Sequence, residues 1–311
     1  MKRFLLCAAL LALLCGCGGA LHEEQPPAFT MGAVLKTMDA EHWMEIASGM
    51  ERAAEERGVR LILQYPSSEL AAGEQKSILR DMLATPIDAL LFSPCDSGDT
   101  AWLAGETRKR NLPLLLVDTG ATDAELPYIG SDNRGIGRMA YEFLLEQLGE
   151  GTRAGIITGN VRQDSLGNRV SGFRFYCARD KKMELAGVEA DCNSYETAYY
   201  AARRLIEERK VSGIFCTSGV IGMGAIAARE ELGRQDVKLV AVDTQSDVVN
   251  ALHGGRLDGL ITQSGYEIGY QAVADAYARL TGEERPTRRF IENQLFTPET
   301  ADALEWDGRM Q

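Results

Sequence analysis

Polar and charged side chains standing at the ends of short apolar runs are where this sequence can do chemistry. Lys36 and Asp39 follow the run at 29–35, Ser93 closes the run at 87–93, and Asp118 follows the run at 114–117. Further along come the stretch Asn160 to Asp164, then Ser218, Asp243 and Gln263. Carboxylates accept from neighbouring hydroxyls, an arginine fork donates in a fixed plane, and an aromatic face packs on the apolar C–H face of a small ring. The nine residues KTMDAEHWM, 36–44, concentrate such groups, with His42 and Trp43 supplying a flat surface and Lys36 and Asp39 supplying polar contacts. The set suits a small polyhydroxylated molecule. It offers no nucleophile–base pair, and with three histidines and no CxxC pairing it is poor in metal ligands. Neither an enzyme nor a cofactor or metal is expected.

Taken singly, each residue has an ordinary role. An aromatic at helical spacing such as Trp43 is usually core, and a histidine such as His42 usually packs or faces water. Aspartates after strands, as at 118 and 243, commonly cap helices or turns. Arg169 on a helix would by default pair with a surface acid, and Trp102 and Trp306 have only packing or surface roles. It is the shared placement of these groups that points to a site.

That placement comes from the elements. From residue 29 onward, nearly all-apolar runs at 29–35, 59–64, 87–93, 114–117, 153–158, 213–217, 237–242 and 260–263 alternate with amphipathic segments. The amphipathic segments lie at 41–57, 69–84, 100–110, 135–148, 166–178, 195–208, 220–232 and 266–280. Strands apolar on both faces belong in a parallel sheet covered by helices, so the pattern predicts doubly wound α/β units. Eight or more strands exceed what one compact sheet usually holds, which favours two lobes. The seam between them is expected near 130–133, where a short strand ends in turn-forming residues before a fresh helix. In such sheets ligands bind at the carboxyl ends of the strands, and two facing edges would line a polar cleft.

The start of the chain carries Lys2 and Arg3, an apolar run from Phe4 to Leu14, then Cys15, Gly16 and Cys17. This is the outline of a signal peptide. Eleven helical residues reach only about 16 Å, short of the ~30 Å hydrocarbon core. The segment LCGC, 14–17, resembles a bacterial lipobox, by which Cys17 would be acylated and 18–28 would form a tether. An exported, lipid-anchored protein on the outer side of the cell membrane is expected. The formal charge of −12, deepened by two when Lys2 and Arg3 leave, disfavours nucleic acid as a partner. Outside the cell a Cys177–Cys192 disulfide is conceivable, but isolated buried thiols are the expected state of Cys95, Cys177, Cys192 and Cys216.

Eight passages in order, GAVLKTMDAEHWMEIASGMERAAEERG, PIDALLFSPCDS, LPLLLVDTG, YIGSDNRGIGRMA, NRVSGF, GIFCTSGVIGMGAIAA, LVAVDTQSD and GLITQSGYEIGYQAV, carry a resemblance. The chain resembles the type I periplasmic sugar-binding proteins of the ribose-binding kind, the soluble receptors of ABC importers, from about residue 29 to about residue 300. The resemblance implies two lobes, 29–132 plus 264–290 and 133–263 plus 291–311, joined by hinge crossovers near 131–133, at Ser264 and after Phe290, that close on a sugar. It places the family's first-strand polar contact on Lys36, its loop asparagine on Ala40 beside Asp39, and its paired aromatics on His42 and Trp43. Its Asp-Arg pair becomes Asp118 and Thr119, its arginine before the GF pair is kept as Arg169, and an asparagine becomes Ser218. The last aspartate and glutamine match as Asp243 and Gln263. Losing an arginine and two amides while gaining a lysine argues against ribose itself. Lys36 and Arg169 favour an acidic ligand, Asp118 and Asp243 oppose one, so the expectation stops at a carbohydrate or similar polyol.

A rival signal is the GxGxxA string at 222–227, followed by Asp243 about twenty residues on, as in dinucleotide-binding enzymes. Its first glycine lies several residues beyond the strand, no YxxxK pair accompanies it, and a similar string at 135–140 is weaker still. Close helix packing accounts for both. The expected role is a monomer that delivers a small carbohydrate to an ABC transporter permease, or, with the same fold, presents it to a sensor kinase ectodomain or chemoreceptor. A Cys17→Ser variant should appear in the soluble fraction after cell fractionation; persistent membrane attachment would refute the lipid anchor.

Overall fold

The structure is a computed structural model, and it describes residues 27–304. The signal-peptide, lipobox and tether expectations, apart from residues 27 and 28, lie outside that range, as does Trp306. Two six-stranded sheets organise the chain. The first contains β1 (Phe29–Val34), β2 (Val59–Gln64), β3 (Ala89–Phe92), β4 (Leu114–Val117), β5 (Tyr128–Ser131) and β11 (Arg288–Ile291), in the order β11-β5-β4-β3-β1-β2. Every neighbouring pair in it is parallel. The second contains β6 (Thr152–Ile157), β7 (Met183–Glu189), β8 (Gly213–Cys216), β9 (Lys238–Val242), β10 (Gly259–Ile261) and β12 (Leu295–Phe296), in the order β12-β10-β9-β8-β6-β7. Here only the short β12 runs antiparallel, against β10.

Nine α-helices among the described residues complete the lobes. They are α1 (Glu41–Glu56), α2 (Ala72–Ala84), α3 (Ala101–Lys109), α4 (Asn133–Leu148), α5 (Asp164–Asp180), α6 (Tyr195–Glu207), α7 (Gly219–Glu231), α8 (Ser246–His253) and α9 (Gly265–Leu280). Strand residues alternate between the two faces of each sheet. Met31, Ala33 and Leu35 therefore pack with Ile46, Met50, Ile268 and Val273 of α1 and α9. Val34, Leu90 and Leu116 pack on the opposite face with Leu79, Met82 and Leu103 of α2 and α3. The second sheet is sandwiched in the same way, by α6, α7 and α8 on one face and α4 and α5 on the other. Both faces are apolar because both are covered.

The chain crosses between lobes three times: from β5 into α4, from β10 into α9, and from β11 into β12. These are the two doubly wound lobes and the multi-strand hinge expected from the alternation. The elements missing from the sequence-based expectation, β7, β11, β12 and α8, share a physical reason. The three strands lie at sheet edges and are only partly buried, so they lack a continuous apolar run. Helix α8 has only eight residues, too few to display a period. Cys95, Cys177, Cys192 and Cys216 are free, buried thiols.

Glycines let the helices close on one another. A methyl group added at Gly49 or Gly269 would run into the backbone oxygen of Tyr266 or Ile46, so α1 and α9 touch through bare backbone. The GxGxxA string has the same use. A side chain at Gly222 would meet Ala241 on β9, and one at Gly224 would meet the backbone of Tyr195 on α6. Gly269→Ala should therefore cost about 1–3 kcal/mol through overpacking, read as a lowered Tm. Gly73→Ala in α2, where nothing lies within 4 Å of the added atom, should be neutral or mildly stabilising in the same melt.

Candidate functional site

The carboxyl ends of the two sheets face each other, and between them lies a cavity of about 340 Å³ lined by both lobes. Its volume is at the small end of the ~300–1,000 Å³ typical of ligand pockets. Lys36 (after β1), His42 and Trp43 (α1) and Asp118 (after β4) reach it from one side. Arg169 (α5), Ser218 (after β8), Asp243 (after β9) and Gln263 (after β10) reach it from the other.

The two aspartates are delivered by one device used twice. Each is the first residue beyond a central strand, and each has positive φ, 64° at Asp118 and 87° at Asp243. Each still donates its N–H to the neighbouring strand, Asp118 to the carbonyl of Ile129 at 2.7 Å and Asp243 to that of Ile261 at 3.1 Å. Left-handed backbone at a residue with a side chain costs of order 1–3 kcal/mol and persists where surroundings enforce it.

Asp118 and His42 form a buried pair, Oδ1 to Nε2 2.9 Å, and the Thr119 hydroxyl donates to the other carboxylate oxygen at 2.9 Å. Burial opposes charge on both. The pair outweighs it: His42 is raised to about 9 by its bond and attraction to Asp118, and Asp118 is lowered to about 2 by His42, with Lys36 and Arg169 assisting. The imidazolium–carboxylate pair is thus held through neutral pH.

Across the cleft, Asp243 accepts from the Gln263 amide at 2.5 Å and from the backbone N–H of Gly219 at 3.1 Å. Gln263 Oε1 in turn accepts from Arg169 Nη2 at 2.6 Å and from Ser131 Oγ at 3.0 Å. Arg169 also donates from Nε to Asn133 Oδ1 at 2.9 Å and from Nη1 to the carbonyl of Thr217 at 2.6 Å. Lys36 Nζ donates to Gln163 Oε1 at 3.2 Å, a contact between lobes.

Residues 31–284 match the family model described as periplasmic binding protein domain. The chain belongs to that family. It is similar to the ribose import binding protein RbsB of Escherichia coli, 25% identical over 260 residues, covering 82% of this chain and 86% of the relative. It is similar as well to the D-ribose/D-allose-binding protein of Pseudomonas aeruginosa, 23% identical, with 81% and 80% covered. The crystal structure of GanP, a glucose-galactose binding protein from Geobacillus stearothermophilus, superposes with a TM-score of 0.80 at 23% identity, covering 88% of this chain and 98% of that one. At that identity the superposition shows the fold, two α/β lobes of the periplasmic binding protein kind.

Three residues expected at the site of this periplasmic binding protein do not line the cavity. Asp39 is exposed, its backbone N–H taken by Thr37 Oγ1 at 3.1 Å, because the loop after β1 bends it to solvent. Ser93 is fully buried beneath Gln75, whose amide donates to the carbonyls of Ser93 and Leu35 at 2.8 and 2.9 Å and so covers the ends of β3 and β1. Asp164 starts α5 and bridges the lobes instead: its N–H donates to Ser97 Oγ at 3.0 Å, and its carboxylate lies against Gly120 and accepts from Asn168. Trp43 lines the cavity while remaining 4% exposed within the core, its Nε1 donating to Glu69 Oε1 at 2.7 Å. His42 meets it edge-on at 70°, so the two rings do not form one flat surface.

Asn193 and Gln245 line the cavity and were not expected, and Gln163 lines it from the stretch 160–164, of which only Asp164 was singled out. Gln245 stands two residues after Asp243 in DTQSD and was legible by position, whereas Asn193 follows β7, an edge strand with no strong signal.

The His42–Asp118 pair carries a pH signature with a definite sign. His42, raised above its ordinary value of 6.5, contributes stability that is complete below that value and lost as pH rises through about 9. Asp118, lowered from its ordinary value of 3.8, contributes stability present above that value and lost as pH falls through about 2. An NMR titration should place His42 near 9, and Asp118→Asn should lower it by more than one unit.

Proposed function

We propose that this periplasmic binding protein captures a sugar or sugar-like polyol in the interlobe cleft and delivers it to an ABC importer. The observation that carries the reading is the pair of strand-end aspartates, Asp118 and Asp243, presented from opposite lobes into one polar cavity of about 340 Å³. At ~30 Å³ per water that space holds about eleven waters, the scale of one monosaccharide. Each carboxylate retains lone pairs beyond those used inside the protein, and these accept from ligand hydroxyls. Ser218, Asn193 and Gln245 answer with donors and acceptors of their own. The ligand-binding set is Lys36, His42, Trp43, Asp118, Arg169, Ser218, Asp243 and Gln263, joined by Gln163, Asn193 and Gln245.

The lobes, 29–132 plus 264–290 and 133–263 plus 291–304, rotate about the three crossovers. Closure is favoured by contacts that only the closed form makes. Besides the ligand these include Lys36 to Gln163, Asp164 to Ser97, and the Glu41 carboxylate accepting from Ser246 N–H and Oγ–H at 2.8 and 2.9 Å. The protein acts as a monomer outside the cytoplasm, held to the membrane by lipid on Cys17.

A thermal-shift screen across monosaccharides and sugar acids tests this directly. A bound ligand at a hundred times its Kd adds about 2.7 kcal/mol and raises Tm. Asp243→Ala should abolish that rise while leaving the circular dichroism spectrum unchanged; a full ligand response in the variant would remove Asp243 from the site. Trp43→Ala is the poorer probe, because truncating a buried tryptophan costs about 3–5 kcal/mol of stability by itself.

A further inference from the structure

We infer that the guest is a sugar acid, a polyhydroxy compound whose carboxylate is read by Lys36; the inference rests on the cleft proposed above being the binding site. The anions of the cavity wall are already engaged. Asp118 is bonded by His42 and Thr119, Asp243 by Gln263 and Gly219, and Glu69 by the Trp43 indole. The cations are not equally satisfied. Arg169 has all three guanidinium nitrogens bonded to neutral acceptors. Lys36 is 2% exposed, yet among the described residues its ammonium has no carboxylate within ion-pair distance and a single hydrogen-bond acceptor, the neutral Gln163 amide.

An ammonium carries three donors, and burying it without a counter-charge is costly. The Trp43 ring, with its centroid 5.5 Å from Nζ, offsets part of that cost but supplies no acceptor. His42 adds a second unmet demand. Its Nε2 is engaged by Asp118, while Nδ1 is buried with no partner, and as an imidazolium it donates from both nitrogens. Three cations, Lys36 and His42 from one lobe and Arg169 from the other, therefore stand around Asp118, whose ionisation all three favour.

A group that accepts without donating, and carries charge, meets that demand. A hydroxyl fits less well, because it brings its own proton and needs an acceptor in return. The spare lone pairs of Asp118 and Asp243 and the side chains of Ser218 and Asn193 provide such acceptors for the guest's remaining hydroxyls. The net charge of −12 does not oppose this, since charges more than ~8 Å away are largely screened at physiological salt.

Titration calorimetry of the full chain at neutral pH with three matched pairs decides the matter: D-galacturonate against D-galactose, D-glucuronate against D-glucose, and D-gluconate against D-glucitol. In at least one pair the acid should bind ~10-fold or more tightly than its neutral partner. Lys36→Met, or Lys36→Gln should the first variant melt early, should bring that ratio to about one. Neutral members binding as well as or better than their acids would overturn the sugar-acid assignment and leave the sugar cleft standing. A preference for the acid that survives both variants would remove Lys36 as its reader, and silence from every probe would overturn this inference and the cleft reading together.

Discussion

Arg169 is 4% exposed, and a guanidinium that far from water must find acceptors or lose more in desolvation than packing returns. It finds them on three chain segments that are remote in sequence: Asn133 at the first crossover, Thr217 at the end of β8, and Gln263 at the second crossover. Gln263 passes the constraint on to Asp243 and to Ser131, and Asn293 at the third crossover donates to Ser131 Oγ and to the carbonyl of Thr262. One buried network thus ties the cleft wall of the second lobe to all three hinge segments. Asp243 is thereby connected to the hinge through a single amide.

The lobes around that network obey a simpler constraint. Parallel strands covered on both faces must be apolar along their length, so polar side chains are admitted only where the strands end. With two such sheets facing edge to edge, the strand ends converge and the cleft is polar by construction. The left-handed turn at Asp118 and at Asp243 is the local cost of aiming a carboxylate into it from a central strand. The N–H bonds of Asp118 to Ile129 and of Asp243 to Ile261, on the neighbouring strands, hold these turns in place.

The cleft also holds itself together in part. Lys36 to Gln163, Ser97 to Asp164 and Glu41 to Ser246 are direct bonds between lobes, so in the hinge-closure reading proposed above closure does not depend on the ligand alone. Such contacts lower the free energy that the ligand must supply to favour the closed arrangement, and in the same measure reduce the contrast between bound and free states.

How legible this was follows from what each signal measures. Apolar runs report burial, so β1, β3, β4, β6, β8, β9 and β10 were readable, as was the edge strand β2 through its run Leu61–Leu63, while β7, β11 and β12, half-buried at edges without such a run, were not. Lys36, His42, Trp43, Asp118, Arg169, Ser218, Asp243 and Gln263, the positions that family register marks out, stand on the cavity wall. Strand-end position alone misplaced Ser93, because it carries no information that Gln75 from α2 covers that edge. Asp39 and Asp164 lie in the correct loops, but rotation about a few backbone bonds turned one to solvent and the other to Gly120. By itself, then, the sequence determined two doubly wound lobes and which strand ends carry polar groups, since both follow from local patterns of burial. Only the tertiary structure decided which of those groups share the cavity and which charges are already neutralised, because pairings such as Asp118 with His42 or Lys36 with Gln163 join residues 76 and 127 positions apart.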